Sequence, residues 1–416
     1  MLIIEILVYF SIFLGLYFAL FVFNLFLENQ KGVYKKPKIK NFPTVALIVP
    51  CYNEAENIEK TLNSLLNLDY PKEKLEIIVI DDGSTDDTFL KAQIFEKKDK
   101  RIKVFTKKNG GKYTALNLGL KKTNAPFIGS MDADSHLDPQ ALKKVMKFFE
   151  NPEIKAVSGT VKVREVKNII EGIQYLEYLI SAYWKKFFSM IGGLQVASGA
   201  FSVFRKEVFK ILGHYQDPYN CLAEDLEITF RLQQKNFKIA QALDAFVYTR
   251  APSNFKSLFR QRSLRWYKGF LLTLKDYLGL LNIKKHGNLS FLLCTTLVGV
   301  FASLILSSYT LWRAINFCWE RVNQLFLTGF DFPYFFSLFW DKNFFNFKIT
   351  PLFILGNICL IFFLIQLSIA KKLCFDKKPL KVAIFSFIFL YGYLNVLWWG
   401  TAIISILKEK ITKFYV

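Results

Sequence analysis

The stretch Leu75-Glu-Ile-Ile-Val-Ile80, followed by Asp81-Asp-Gly-Ser-Thr-Asp-Asp87, decides the fold. A short apolar run rich in β-branched side chains has the composition of a strand covered on both faces. An acidic, glycine-containing loop ends it, and Thr88–Lys97 beyond reads as helix. The same order occurs upstream, where Thr44-Val-Ala-Leu-Ile-Val-Pro50 leads through Cys51-Tyr-Asn-Glu54 into the amphipathic stretch Asn57–Leu68. It recurs downstream, where Ile102–Phe105 precedes a glycine loop and Thr114–Leu120. Such alternation predicts an α/β fold, a doubly wound and mainly parallel sheet with helices on both faces. In these sheets ligands bind beyond the carboxyl ends of the strands, where each of these polar loops lies.

Outside this region the chain is unusually apolar. Hydrophobic residues make up 52% of the 416, charged ones only 21%, and Phe occurs 44 times, which argues against a wholly soluble protein and excludes disordered or collagen-like structure. Leu2–Leu27, Leu289–Trp312, Ile349–Ala370 and Val382–Leu407 run almost without charge for the ~20 residues that carry a helix across ~30 Å of hydrocarbon. The expected organisation is a transmembrane helix within 1–30, a soluble domain over 44–250, interfacial amphipathic helices over 251–285 and about three apolar helices over 289–407. The cysteines Cys51, Cys221, Cys294, Cys318, Cys359 and Cys374 show no short C-x-x-C spacing, so neither a zinc site nor a disulfide framework is suggested and a reducing compartment fits. A net charge of +21 would suit nucleic acid in a soluble protein, but Lys clusters at 35–40, 284–285 and 371–381 flank apolar spans. Anionic membrane lipids are the expected partner and nucleic acid is not.

Lys31, Lys35, Lys36, Lys38 and Lys40 follow the first span and no basic residue precedes it, which places the soluble domain in the cytoplasm of a multi-pass cell-membrane protein. A cleaved signal peptide is the alternative, but Leu2–Leu27 is long for one, begins with Glu5 rather than basic residues and lacks a small-residue cleavage pattern. Counting spans onward puts the C-terminal tail outside, whereas its Lys408, Lys410 and Lys413 argue for the inside.

Each polar loop admits a plain structural reading beside a functional one. Asp81-Asp82-Gly83-Ser84 is either an Asp cap with a glycine turn or a carboxylate pair that accepts hydrogens from the imide or ribose of a nucleotide. Asn109-Gly110-Gly111-Lys112 is an ordinary turn, or a loop whose glycines admit a ligand while Lys112 offers a point charge to a diphosphate. Pro126-Phe-Ile-Gly-Ser-Met131 leads into Asp132-Ala133-Asp134. Carboxylates at i and i+2 past a buried strand can converge on one Mg²⁺ or Mn²⁺ that also holds phosphate oxygens; a solvated turn is the bland account. Glu224 and Asp225 open the helical stretch Ala223–Arg231 and suit its dipole, or one of them is a general base. Gln261-Arg262-Ser263-Leu264-Arg265-Trp266 lies within the aromatic and basic stretch Phe255–Leu281, which also reads as an interfacial amphipathic helix. In Ile169–Gly193, the aromatics Tyr175, Tyr178, Tyr183, Trp184, Phe187 and Phe188 at helical spacing either pack a core or present faces to a sugar or a lipid acceptor. No Ser/His or Cys/His arrangement suggests a protein nucleophile, and His214 reads as structural.

Taken in order, Pro50-x-Tyr52-Asn53-Glu54, Asp81-Asp82-Gly83-Ser84-Thr85-Asp86, Asn109-x-Gly111-Lys112-x-x-Ala115-Leu116-Asn117, Asp132-x-Asp134, Ser198-Gly199-Ala200, Glu224-Asp225 and Arg265-Trp266 resemble the family 2 inverting glycosyltransferases. The nearest subgroup is the membrane-integrated synthases of cellulose, chitin, hyaluronan and poly-N-acetylglucosamine. The resemblance covers residues 44–270 and implies the GT-A nucleotide-diphospho-sugar transferase fold in an α-helical transmembrane frame. It implies donor binding by Pro50, Tyr52, Glu54, Asp81 and Asp82, with Lys112 at the diphosphate and Asp132 and Asp134 at the nucleotide and its Mg²⁺ or Mn²⁺. Asp225 is the implied general base, with Glu224 beside it, while Gly199, Gln261, Arg262, Arg265 and Trp266 hold the acceptor end and the diphosphate. One departure stands out. The family pattern is Gln-x-x-Arg-Trp, whereas Gln261 lies four before Arg265 and Arg262 three before, so the match bears more directly on sugar transfer than on processive synthesis.

The function implied is inverting transfer of a sugar from a nucleotide diphosphate, UDP-N-acetylglucosamine or UDP-glucose by analogy, to a growing polysaccharide. Single-sugar transfer to a membrane lipid, a polyprenyl phosphate or a glycerolipid, is the alternative, and a non-catalytic nucleotide-sensing membrane protein is a third reading. The near absence of ionisable groups within the apolar spans argues against a solute transporter. Four spans leave a polymer passage cramped within one chain, so interfacial helices or an oligomer are expected to complete it.

Overall fold

The computed structural model describes residues 2–33, 41–217, 219, 223–333, 351–376, 378 and 381–414. Lys35, Lys36, Lys38, Lys40, Cys221 and Ile349, where the third expected span begins, lie outside the described residues. After the apolar helix α1 (Leu2–Val33), β1 (Val45–Cys51), β2 (Leu75–Asp81), β3 (Ile102–Thr106) and β4 (Phe127–Met131) alternate with α2 (Ile58–Leu66), α3 (Thr88–Lys98) and α4 (Lys112–Lys121). These strands pair in parallel in the order β3-β2-β1-β4. Every residue of β1 is buried. Its alternate side chains serve opposite layers: Val45, Leu47 and Val49 join Ile58, Leu62 and Leu65 of α2, while Ala46 and Ile48 join Ala115, Leu116 and Leu120 of α4.

The second half of the sheet is mixed. β5 (His136–Leu137), α5 (Ala141–Met146) and β6 (Ile154–Val163) are followed by α6 (Ile169–Met190), β7 (Phe201–Arg205), α7 (Glu207–Leu212), α8 (Glu224–Gln234) and β8 (Lys238–Thr249). β7 runs antiparallel to β4 and β6, β8 parallel to β6, and β5 antiparallel to β8, giving one eight-stranded sheet in the order β3-β2-β1-β4-β7-β6-β8-β5. The doubly wound parallel pattern thus occupies the first four strands. The antiparallel β7 brings the Ser198–Ala200 loop back beside the end of β4, where the Asp132 N–H points to the Ala200 carbonyl. α6 starts at a reciprocal cap, Asn168 Oδ1 accepting from Glu171 N at 2.9 Å and Glu171 Oε2 from Lys167 N at 2.6 Å.

α9 (Phe255–Arg260) runs into a π-helical turn, Gln261–Tyr267, and α10 (Lys268–Asp276); the short α11 (Ile283–His286) precedes the apolar helices α12 (Asn288–Leu327), α13 (Pro351–Leu373) and α14 (Lys381–Phe414). Among the described residues, four stretches are long and apolar enough to cross a membrane: Glu5–Gln30, Asn288–Leu327, Phe353–Leu373 and Val382–Glu409. They correspond to the four expected, except that the second continues past Trp312 to 40 residues, about 60 Å of helix. By contacts the chain forms two units, Met1–Asn24 with Thr295–Gln366 and Leu25–Cys294 with Leu367–Val416. In the first, Gln366 Nε2 donates to the Ala19 carbonyl at 2.8 Å and Phe23 meets Phe362 edge to face. The second holds the sheet, α6 to α10 and α14.

Candidate active site

The loops after β1 and β2 hold each other. Asn53, in the left-handed region at φ 55°, donates its N–H to Ser84 Oγ at 2.9 Å and accepts from Thr85 N at 2.8 Å. Glu54 N donates to Thr88 Oγ1 at 2.8 Å and Ala55 N to Asp86 Oδ2 at 3.1 Å. Tyr52 stands 48% exposed beside them, whereas Pro50 is buried in β1 opposite Ile80. Asp81 and Asp82 are both buried. Asp81 accepts from Thr106 Oγ1 at 2.9 Å. Asp82 takes Lys107 Nζ at 2.5 Å and Gly110 N at 3.1 Å on one oxygen, and Gly111 N at 2.8 Å on the other. The glycines are required here: Gly83 and Gly111 have φ of 75° and 91°, and a Cβ on Gly83 would lie 2.8 Å from Asn109 N.

The carboxylates beyond β4 and at the start of α8 meet around one lysine. Lys112 Nζ lies 2.6 Å from Asp132 Oδ1 and 2.6 Å from Glu224 Oε1. Glu224 is buried, and its second oxygen has no hydrogen-bond partner among the described residues. Asp225 is held at both oxygens, Oδ2 by Gly199 N at 3.0 Å and Oδ1 by Leu226 N at 2.8 Å. Four further bonds fix this corner: Ala197 N donates to Thr229 Oγ1 of α8, Ser198 N donates to Ser158 Oγ of β6, and Asn117 of α4 bonds both backbone groups of Tyr215 in the loop before α8.

Negative charge is in excess here, and the titration of the groups shows it. Burial, then Glu224, pushes the Asp225 carboxyl up to about 6. Burial, then Asp132 and Glu54, pushes Asp134 up to about 6 as well. Burial also raises Glu54, with Asp132 and Asp86 adding to it. Burial pulls the Lys112 ammonium down, but Asp132, Glu224 and Asp225 outweigh it and hold it well above the ordinary lysine range.

The segment Gln261–Trp266 has a buried and an exposed side. Arg265 and Trp266 are exposed, Trp266 at 43%. Arg262, expected among the acceptor contacts, is 0% exposed; its Nη2 donates to Glu177 Oε2 of α6 and its Nη1 to Gln261 Oε1. The π-helical turn accounts for the altered spacing, because one extra residue in a helix is absorbed as a wide i→i+5 turn. On α6, Tyr175, Tyr183 and Phe187 are buried, so these aromatics pack a core, whereas Trp184 is 37% exposed and Tyr178 stacks on Trp266.

Residues 46–213 match the family described as Glycosyl transferase family 2. The chain carries a family 2 glycosyltransferase domain. Among curated proteins it is 29% identical over 286 residues to the poly-beta-1,6-N-acetyl-D-glucosamine synthase of Staphylococcus epidermidis, covering 67% of this chain and 68% of that one. The Staphylococcus aureus protein of the same name is 29% identical over 287 residues, with the same coverage. Among solved structures, a mannosyltransferase from Pyrobaculum calidifontis in complex with GDP-Man and Mn²⁺ superposes with a TM-score of 0.54 at 19% identity, over 88% of this chain and all of that one. The fold is therefore the GT-A fold, flanked by apolar helices.

The structure gathers Glu54, Lys112, Asp132, Asp134, Gly199, Glu224 and Asp225 into one cluster, whereas Asp81 and Asp82 bond the loop after β3. Sequence reading missed Lys107, the counter-ion of Asp82, because nothing in a Lys-Lys pair marks which one turns inward. It also missed Lys185 of α6, whose ammonium is lowered by burial while Asp225 opposes the shift. Glu177 gave no signal either, since its partners Arg262 and Tyr391 are 85 and 214 residues away.

Proposed function

We propose that this chain is an inverting, metal-dependent glycosyltransferase that moves N-acetylglucosamine from UDP-N-acetylglucosamine to a growing polysaccharide at the cytoplasmic face of the cell membrane. The observation that carries this reading is Asp225, a half-buried carboxylate aimed by two backbone N–H groups beside Lys112, with its proton affinity raised toward neutrality. A base with a pKa near working pH is both ionised enough to act and basic enough to take a proton. The Staphylococcus relatives, named as poly-beta-1,6-N-acetyl-D-glucosamine synthases, favour that sugar and a polymeric product.

In the proposed reaction an acceptor hydroxyl gives its proton to Asp225 as its oxygen bonds to the anomeric carbon. The bond from that carbon to the diphosphate breaks on the opposite side, so the configuration inverts and no protein nucleophile is needed. Lys112, already between Asp132 and Glu224, offers its charge to the departing diphosphate. Asp132 and Asp134 suit a Mg²⁺ or Mn²⁺ site. An ion of this kind is held by one or two carboxylates together with the substrate's phosphates. Burial foremost raises Asp134, and Asp132 and Glu54 add a repulsion that a dication would relieve. Such an ion, when bound, would stabilise the negative charge developing on the leaving diphosphate.

The topology reading follows from α14. Before it, Lys162 Nζ of β6 donates to the Cys374 carbonyl and Lys378 Nζ to the Arg164 carbonyl; near its other end Glu409 pairs with Lys268 of α10. Both ends of α14 thus touch the catalytic unit, which supports a helix lying along the membrane face and a tail on the cytoplasmic side, in keeping with Lys408, Lys410 and Lys413. A reporter fused after Val416 that is active only in the cytoplasm should be active; activity only outside would restore a spanning α14. The catalytic reading is tested on the purified protein in lipid with Mn²⁺ and radiolabelled UDP-N-acetylglucosamine. Label is expected in a long, water-soluble chain. Label in a single organic-soluble band would mean transfer to a lipid, and label only in free sugar would overturn the reading.

A further inference from the structure

α6 carries a half-buried carboxylate, Glu177, that the proposed chemistry does not use. Glu177 accepts from Arg262 Nη2 at 2.5 Å on one oxygen and from the Tyr391 hydroxyl of α14 at 3.2 Å on the other. Arg262 is fully buried, and its guanidinium lies 3.6 Å from the centre of the Trp266 ring and 5.7 Å from that of Tyr178. Tyr178 and Trp266 are stacked, 6.2 Å apart and 19° from parallel. The indole is therefore packed against a cation and an aromatic ring, and 43% of Trp266 stays exposed. Burial foremost raises the Tyr178 phenol, and Glu177 and Asp134 add to it, so the stack stands within electrostatic reach of Asp134.

We propose that Glu177 is a positioning residue, which locks Arg262 beneath Trp266 and thereby fixes the indole as a preset stacking face for the sugar at the acceptor end. This rests on the reading of the chain as a polysaccharide-forming glycosyltransferase. An ammonium could not replace Arg262, because the planar guanidinium meets a carboxylate at its edge and an aromatic ring with its face at the same time. α14 takes part through Tyr391, so an apolar helix and the acceptor aromatic are joined by two hydrogen bonds through Glu177 and a cation–π contact.

The test uses the full-length protein in lipid with Glu177→Gln, Arg262→Gln and the double variant. Glu177→Gln should lower elongation about 10-fold or more and shorten the product, since misplacement of about 1 Å can cost about 10²-fold. Its dissociation constant for UDP-N-acetylglucosamine should stay within about 2-fold, and the double variant should be no worse than the worse single one, as for residues acting as a unit. Hydrogen exchange over 261–267 gives a reading independent of activity: it should quicken in Glu177→Gln while exchange over 224–234 stays unchanged. Unaltered exchange over 261–267, effects that multiply in the double variant, or equal loss of donor binding would each overturn the proposal. Absence of elongation by the unaltered protein would count instead against the functional reading, and the exchange experiment would still decide on Glu177. Tyr391→Phe, which keeps the ring, should shift exchange and product length in the same direction by less.

Discussion

Two acidic pairs, at the ends of β2 and β4 on either side of β1, differ in how their charge is met. Asp82 has both oxygens filled, by Lys107 and two glycine N–H groups, and holds a loop in place. Asp132 and Asp134, with Glu224 and Asp225 opposite, share one lysine and leave a buried oxygen of Glu224 without a partner. A saturated carboxylate is a strut. A crowded, under-neutralised group of them stores unfavourable charge that a cationic or proton-donating partner relieves, which is where chemistry is found.

The comparison breaks most sharply at Asp225. Asp225→Asn keeps the shape and removes the base, so transfer should fall about 10²–10⁴-fold with donor binding retained. Loss of donor binding alongside would mean that the residue holds the nucleotide instead. In the unaltered protein the raised carboxyl is protonated, and idle as a base, below about pH 6. A plot of kcat/KM against pH should accordingly rise through that value and level above it, and a flat profile from pH 5 to 8 would remove the base from this residue. Asp134→Asn should abolish the response of transfer to added Mn²⁺ or Mg²⁺, and a chelator should do the same to the unaltered protein. Full activity in chelator would sink the metal reading.

Asp82→Asn probes the other side of the comparison. Replacing an acceptor oxygen by an amide donor opposes the N–H groups it meets, with an expected loss of about 1.5–3 kcal/mol of stability. Thermal unfolding should register it, while the pH profile of the remaining activity keeps its midpoint. A shifted midpoint with unchanged stability would make Asp82 a member of the reacting cluster.

The first four strands are legible in the sequence because each is a mainly apolar run ended by a polar loop, and β1, buried throughout, needs that composition. Asp132, Asp134, Glu224 and Asp225 stood out as carboxylates at element ends. β6 to β8 carried no such signal, since antiparallel return and register depend on pairing between distant segments. The difference between Asp82 and Asp132 was equally hidden. Both follow buried strands, and only the folded chain shows that Lys107 reaches one and Lys112 the other.

The smallest effect is expected at Gly199, and it tests how tightly the reactive group is set. Its φ is ordinary, so alanine meets no backbone objection; the constraint is space. A Cβ there would sit 3.0 Å from Asp225 Oδ2 and 3.3 Å from Lys112 Nζ, closer than side chains comfortably approach. Either group can retreat by a few tenths of an ångström, so Gly199→Ala should fold with little change in melting temperature. The Gly199 N–H to Asp225 Oδ2 bond would lengthen as the carboxylate moves. That bond favours the ionised form, so weakening it should raise the midpoint of the pH profile slightly and lower kcat by about 10-fold or less, well short of the 10²-fold that a 1 Å misplacement can cost. An unchanged midpoint with reduced kcat would mean that the methyl group obstructs a substrate instead of displacing the base, and would place the acceptor directly over Gly199.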